Sequence, residues 1–299
     1  MIVPAVDRFP THWFASRAGW TLQPWASEAH CFSAHDIDLS EEVRVTSLGL
    51  TEHRFTNRNS KMRWFFQAIV VVSVLFLSLT TFAAPERLKI LPLGDSITHG
   101  RLDRQSYRYP LWKLLASHGP SFEFVGSQTS NHDGSPPFPS FDGKSFINRH
   151  EGHYGWRADQ ILEALPAWLS SYTPDIVILQ IGSNDLGAGD SVTQIGSEIS
   201  MIIARIRQAN SSVSILLTNG TPTTGSRRTG HTAMRNEYMR IAARESSQTS
   251  KIHLVDTFGG FDYSFLADGI HPNESGEDYI ARRIYPVLVS VMQEKLRQR

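Results

Sequence analysis

From residue 88 onward, short apolar runs alternate with longer stretches that carry apolar residues on one side only. Leu88, Ile90, Leu91 and Leu93 make the first run, and the spacing predicts a strand over 88–93. Further strands are predicted over 122–125, 175–181, 213–217 and 252–255. The run Ile176-Val177-Ile178-Leu179 has no polar alternation, as expected of a strand buried on both faces. Between the strands, Ile161, Leu162, Leu165 and Leu169 fall at helical spacing within 158–169. Ile199, Ile202, Ile203 and Ile206 do the same within 195–209. Other helices are predicted over 109–117, 234–243 and 279–296. Alternating strands and helices predict an α/β domain: a five-stranded parallel sheet with helices on both faces. Residues 127–155 break the pattern. They are rich in Pro, Gly, Ser and Phe and read as a long loop without regular elements, of the kind that carries function or motion.

Upstream, an apolar run extends from 64 to 84, with an inner core at 69–79 interrupted only by Ser73 and Ser78. Lys61 and Arg63 precede it, and the small residues Thr81 and Ala83 close it. A basic start, a short apolar stretch and a small-residue exit describe a secretory signal. Met62 stands where such a signal begins, so translation is expected to start at or near Met62. Residues 1–61, which show no periodicity, are then an unassigned extension created by start-codon choice. The competing reading is a signal anchor, because about 21 apolar residues can span a bilayer. The expected organisation is therefore 1–61 unassigned, 62–84 signal or anchor, and 85–299 one exported domain. That domain is secreted or periplasmic, or else tethered to a membrane through 64–84.

Composition narrows the functional classes. Of 299 residues, 40% are hydrophobic and 19% charged, which is enough to bury a sizeable core. Lys+Arg and Asp+Glu both number 29, so no bulk charge favours nucleic acid. Cys31 is the one cysteine, which excludes an intrachain disulfide and a cysteine-rich metal site.

Ligand sites in open parallel sheets form beyond the carboxyl ends of strands. Gly94-Asp95-Ser96-Ile97-Thr98 follows the first predicted strand, and Gly182-Ser183-Asn184-Asp185 follows the third. Asp268-Gly269-Ile270-His271-Pro272-Asn273 lies shortly after the fifth. Each alone reads as a turn or a helix cap. Together they supply a hydroxyl nucleophile, a base and an amide donor for an oxyanion. They also supply a carboxylate able to reach the second ring nitrogen of the base. His150-Glu151-Gly152-His153 places its two histidines three apart in a glycine-containing loop, unlike the helical four-residue spacing of zinc peptidases. It reads as structural hydrogen bonding, and no metal is expected. Gly187-Ala188-Gly189 lacks the third glycine of a dinucleotide fingerprint. No Gly-x-Ser-x-Gly elbow occurs. Arg227 and Arg228 read as a solvated loop. Trp156 and Tyr107 are candidates for stacking on a sugar ring.

In this order, the three blocks resemble those of the SGNH (GDSL-type) hydrolase superfamily, over about residues 87–295. The resemblance implies a flavodoxin-like three-layer α/β/α sandwich. It implies Ser96 as nucleophile, His271 as base and Asp268 as its orienting carboxylate. It also implies an oxyanion hole of the Ser96 N–H, the Asn184 amide and a glycine N–H. The glycine is Gly155, which precedes a predicted helix, with Gly152 as the alternative. No cofactor is implied. Pro92 to Thr98, Ser106 to Leu111, Phe124 to Ser127 and His150 to Trp156 look like the branch of carbohydrate esterases that includes acetyl xylan esterases. The substrate implied is an acetylated polysaccharide or oligosaccharide outside the cytoplasm. A lipid or aryl esterase, lysophospholipase or thioesterase uses the same groups. A non-catalytic glycan-binding module has no need of His271 and Asp268. Nothing in the sequence fixes the oligomeric state.

Overall fold

The computed structural model describes residues 87–225 and 228–299, so the expectations for 1–61 and 62–84 lie outside the described residues. The chain opens on β1 (Leu88–Gly94), α1 (Ser96–His99), α2 (Arg108–His118) and β2 (Phe122–Phe124). Then come β3 (Glu151–Gly152), α3 (Ala158–Ser171), β4 (Ile176–Gln180), α4 (Ser183–Ala188) and α5 (Val192–Ala209). β5 (Ser214–Thr218), α6 (Arg228–Glu245), β6 (Ile252–Val255) and α7 (Glu274–Gln298) complete it. Among the described residues, no helix is long and apolar enough to cross a membrane.

Among the described residues these strands pair in parallel, in the order β2-β1-β4-β5-β6. Two-residue β3 adds to the upper end of β1 through Leu93↔Glu151 and Gly94↔Gly152. Leaving β3 aside, this is the flavodoxin-like order 2-1-3-4-5, and the order reverses between β1 and β4. In open parallel sheets the ligand crevice forms at such a point, beyond the carboxyl ends of both strands.

Strand residues alternate between two cores. Leu91, Leu93, Val177, Leu179, Ile215 and Leu217 pack under α3, α5 and α6. Leu88, Ile90, Ile176, Ile178 and Leu216 pack under α2 and α7. Burial on both faces explains why the central runs lack a polar period. Pro92 fits a central strand for a local reason. The polar groups of Leu88 and Ile90 face β2, and the Gly94 carbonyl faces His153 beyond β3. Pro92 points to the same side, in the gap between the Ile90↔Phe124 and Leu93↔Glu151 pairings, where no ladder donor is called for.

Residues 127–155 depart from the expected structureless loop. They contain β3, and isolated bridges pin Gln128 to His150 and Phe141 to Lys144. Phe138 and Phe146 lie 5.1 and 5.5 Å from the Tyr109 ring. Aromatic packing onto α2 fixes the segment, and aromatic packing has no period to read.

Candidate active site

Ser96 is the first residue of α1, directly beyond β1, and is 8% exposed. Gly94 is the last residue of β1. A Cβ there would stand 2.0 Å from the Gln180 carbonyl oxygen, so glycine is required for close packing of β1 on β4. The Asp95 side chain caps α1 by accepting the Ile97 N–H at 3.0 Å. Four residues cannot hold a helix by themselves. Side chains from the next segment close its other end. The Ser106 hydroxyl donates to the Ile97 and Thr98 carbonyls at 2.9 and 3.0 Å. Fully buried Arg108 donates through Nε to Thr98 O at 2.7 Å and through Nη2 to His99 O at 2.9 Å.

The structure brings the three distant blocks together. His271 Nε2 lies 3.0 Å from Ser96 Oγ, and His271 Nδ1 lies 2.8 Å from Asp268 Oδ2. The other carboxylate oxygen of Asp268 accepts the backbone N–H groups of His271 at 2.8 Å and Ile270 at 3.1 Å. The Ala267 N–H donates to the His271 carbonyl, and Leu266 bridges Pro272, so the segment is a closed loop. Asn273 caps α7 immediately after it. Arg104 Nη1 donates to Asp268 Oδ2 at 3.2 Å. Partial burial works to raise the Asp268 pKa, but the His271 backbone N–H, the imidazole and the Ile270 N–H together hold the carboxyl well below the usual range.

Gly155 is exposed at φ +79°, a backbone angle that favours glycine. Both of its neighbours are tied to the site. The Tyr154 N–H donates to His99 Nδ1 at 3.0 Å, and the Trp156 carbonyl accepts from Asn184 Nδ2 at 2.8 Å. An Asn amide has two N–H bonds, so one remains for a second acceptor. Gly152 is placed differently. Its N–H is committed to His150 Nδ1 at 3.0 Å, and a Cβ there would stand 2.4 Å from the His99 nitrogen. Of the two glycines, Gly155 is the one with a backbone N–H to offer. Asp185, next to Asn184, is buried and accepts the Ala158 N–H at 2.8 Å, which starts α3.

Tyr107 needs correction as a substrate contact. It is fully buried, with its hydroxyl 3.3 Å from Thr98 Oγ1, and it belongs to the core under the nucleophile helix. Trp156 is partly exposed, with one face stacked on His153 at 4.3 Å. His153 Nε2 pairs with Glu151 Oε2 at 3.0 Å, and His150 Nε2 meets the Ser130 carbonyl at 3.1 Å. The histidines of this segment are thus engaged in structural hydrogen bonds. Arg228 is exposed but begins α6 rather than lying in a loop, and Arg227 is outside the described residues. Sequence reasoning missed Arg104, His99 and Arg108. Arg104 is 164 residues from Asp268, and no spacing rule links them.

Buried ionisable groups around the site set the pH response of stability. Burial pushes the Asp95 carboxyl up to about 7 and the Glu277 carboxyl up to about 8. Each keeps a proton in the folded chain that the unfolded chain has released, so stability falls as pH rises toward those values. Burial, then the charges of Arg108, His153 and His132, push His99 down to about 4 from 6.5. Burial likewise lowers His150 well below 6.5. These two weaken folding as pH drops below 6.5. Above pH 6.5 the histidines no longer offset the carboxyls, so the Tm should fall between pH 6.5 and pH 8. Glu277→Gln should flatten the alkaline decline in a thermal melt series, because Gln has no proton to lose. A decline as steep as wild type would remove Glu277 from this account.

A family model described as GDSL-like Lipase/Acylhydrolase family matches residues 93–279. A multidomain esterase of Ruminococcus flavefaciens is 30% identical over 221 residues, covering 67% of this chain and 28% of that protein. The chain thus spans less than a third of that relative's length. Among solved structures, an acetyl esterase mutant with acetate ion shares 27% identity at TM-score 0.61, over 69% of this chain and 99% of that one. A carbohydrate esterase family 3 structure from Talaromyces cellulolyticus shares 28% at TM-score 0.61, again over 69% and 99%.

Proposed function

Because the chain belongs to the GDSL-like lipase/acylhydrolase family of ester hydrolases, we propose that it removes O-acetyl groups from an extracellular carbohydrate, with Ser96 as nucleophile. The observation that carries this reading is the run of two hydrogen bonds from Ser96 Oγ to His271 and from His271 to Asp268, at 3.0 and 2.8 Å. The likeness to an acetyl esterase and to a carbohydrate esterase supports the acetylated-sugar substrate.

Ser96 Oγ attacks the ester carbonyl carbon while His271 Nε2 takes its proton. Asp268 keeps the Nδ1 proton of His271 turned toward itself and stabilises the imidazolium that forms. The carbonyl oxygen becomes negative and accepts from the N–H groups of Ser96 and Gly155 and the second Asn184 N–H. Collapse breaks the bond to the sugar oxygen, which takes the proton from His271 and leaves as the free hydroxyl. Water then attacks the acyl-serine with His271 again as base, and acetate leaves as His271 returns the proton to Ser96 Oγ. The chain's own residues complete this cycle. The export expected from the sequence of residues 62–84 is in keeping with a polymer substrate outside the cytoplasm.

A substrate panel tests the reading. Acetate release from acetylated xylan should exceed hydrolysis of medium-chain p-nitrophenyl esters. Preference for acyl chains longer than butyryl would instead establish a lipid or aryl esterase. Failure of an active-site phosphonate to label Ser96 would leave a glycan-binding module.

A further inference from the structure

We propose that His99 is a positioning residue that couples the nucleophile helix to the glycine of the oxyanion loop; this rests on the esterase reading above. His99 is the last residue of α1, three positions after Ser96. Its Nδ1 accepts the N–H of Tyr154, the residue before Gly155, at 3.0 Å. One side chain therefore joins the element that carries the attacking oxygen to the element that carries an oxyanion donor. The His99 carbonyl is fixed in turn by buried Arg108 at 2.9 Å.

The join works only with a neutral imidazole that presents a lone pair at Nδ1. The surroundings enforce that form. Burial and the facing charges of Arg108, His153 and His132 oppose protonation. His150 lies 5.2 Å away, ring to ring, and makes the same kind of bond to Gly152, so the loop is pinned at two alternate amides. Tyr154 is clamped besides, with its ring stacked on His132 at 4.3 Å and 5.5 Å from the His271 ring. A slip of this loop moves the Gly155 N–H relative to Ser96.

The test compares His99→Leu, which removes the acceptor, with His99→Asn, whose Oδ1 occupies the place of Nδ1. His99→Leu should lose roughly tenfold to a hundredfold in kcat, the usual cost of about 1 Å of misplacement, with KM changed less than about threefold. Amide exchange at Tyr154, read by mass spectrometry, should speed up in the same variant. His99→Asn should return both readouts to within about fivefold of wild type. Wild-type kcat in His99→Leu, or unchanged Tyr154 exchange, overturns the proposal. Should His99→Leu not fold, His99→Asn decides: slow exchange with near-normal kcat supports the coupling, and fast exchange with normal kcat refutes it. The two readings fail separately. A wild-type chain inactive on every ester sinks the esterase assignment, whereas an active one indifferent to His99→Leu sinks only this.

Discussion

Replacing Ser96 with alanine should lower kcat on the order of 10⁶-fold, the loss that follows removal of a nucleophile whose partners work only through it. The fold should survive. The Asp95 cap on Ile97 and the Arg108 bonds to Thr98 and His99 do not involve the Ser96 hydroxyl. The change deletes one hydrogen bond, to His271 at 3.0 Å, which contributes about 1 kcal/mol net. In a domain of this size that moves Tm by roughly 2–4 °C. Single-turnover acetate release alongside a thermal melt separates the two effects. A Ser96→Ala chain within tenfold of wild type would mean that another group attacks the ester.

Asp268→Asn should cost about 10⁴-fold in kcat. The asparagine carbonyl would keep the N–H bonds of Ile270 and His271, since those hold one oxygen firmly at 3.1 and 2.8 Å. Its NH₂ would then face both His271 Nδ1 and Arg104 Nη1, where one oxygen now accepts from both. The imidazole would turn to the tautomer with its proton on Nε2, which cannot take the Ser96 proton. The Arg104 guanidinium would meet a donor instead of a carboxylate. Near-normal kcat would show that neither the tautomer nor the charge at residue 268 matters to the reaction. Asp268→Glu, which keeps the charge but not the reach, distinguishes these two contributions.

The strands and the paired helices were legible because burial on both faces leaves continuous apolar runs, as at residues 176–179, and helical spacing leaves one-sided stripes, as at Ile199 to Ile206. The short elements were not. α1 and α4 hold four and six residues, too few for a periodic stripe, and their Gly, Asp and Asn residues read as turns. α6 begins at Arg228, six residues before its first apolar signal at Met234, because its opening turns are mostly exposed and polar. Ser96, Asp268 and His271 stood out because their residue types carry chemistry wherever they cluster. Tyr107 misled for a related reason: an aromatic ring next to a catalytic block suggests a sugar platform, yet its hydroxyl finds a partner inside the core. The residues that shape the site without touching a substrate, Arg104, Arg108 and His99, act through backbone carbonyls and distant side chains. Such bonds depend on the finished fold and leave no local pattern.

The loop from Leu266 to Pro272 carries the imidazole and its carboxylate as one rigid cassette, cross-linked through its own main chain. Readiness for proton transfer then rests on one length, the 3.0 Å gap between ring and serine hydroxyl, which is set by how closely this loop meets the end of β1.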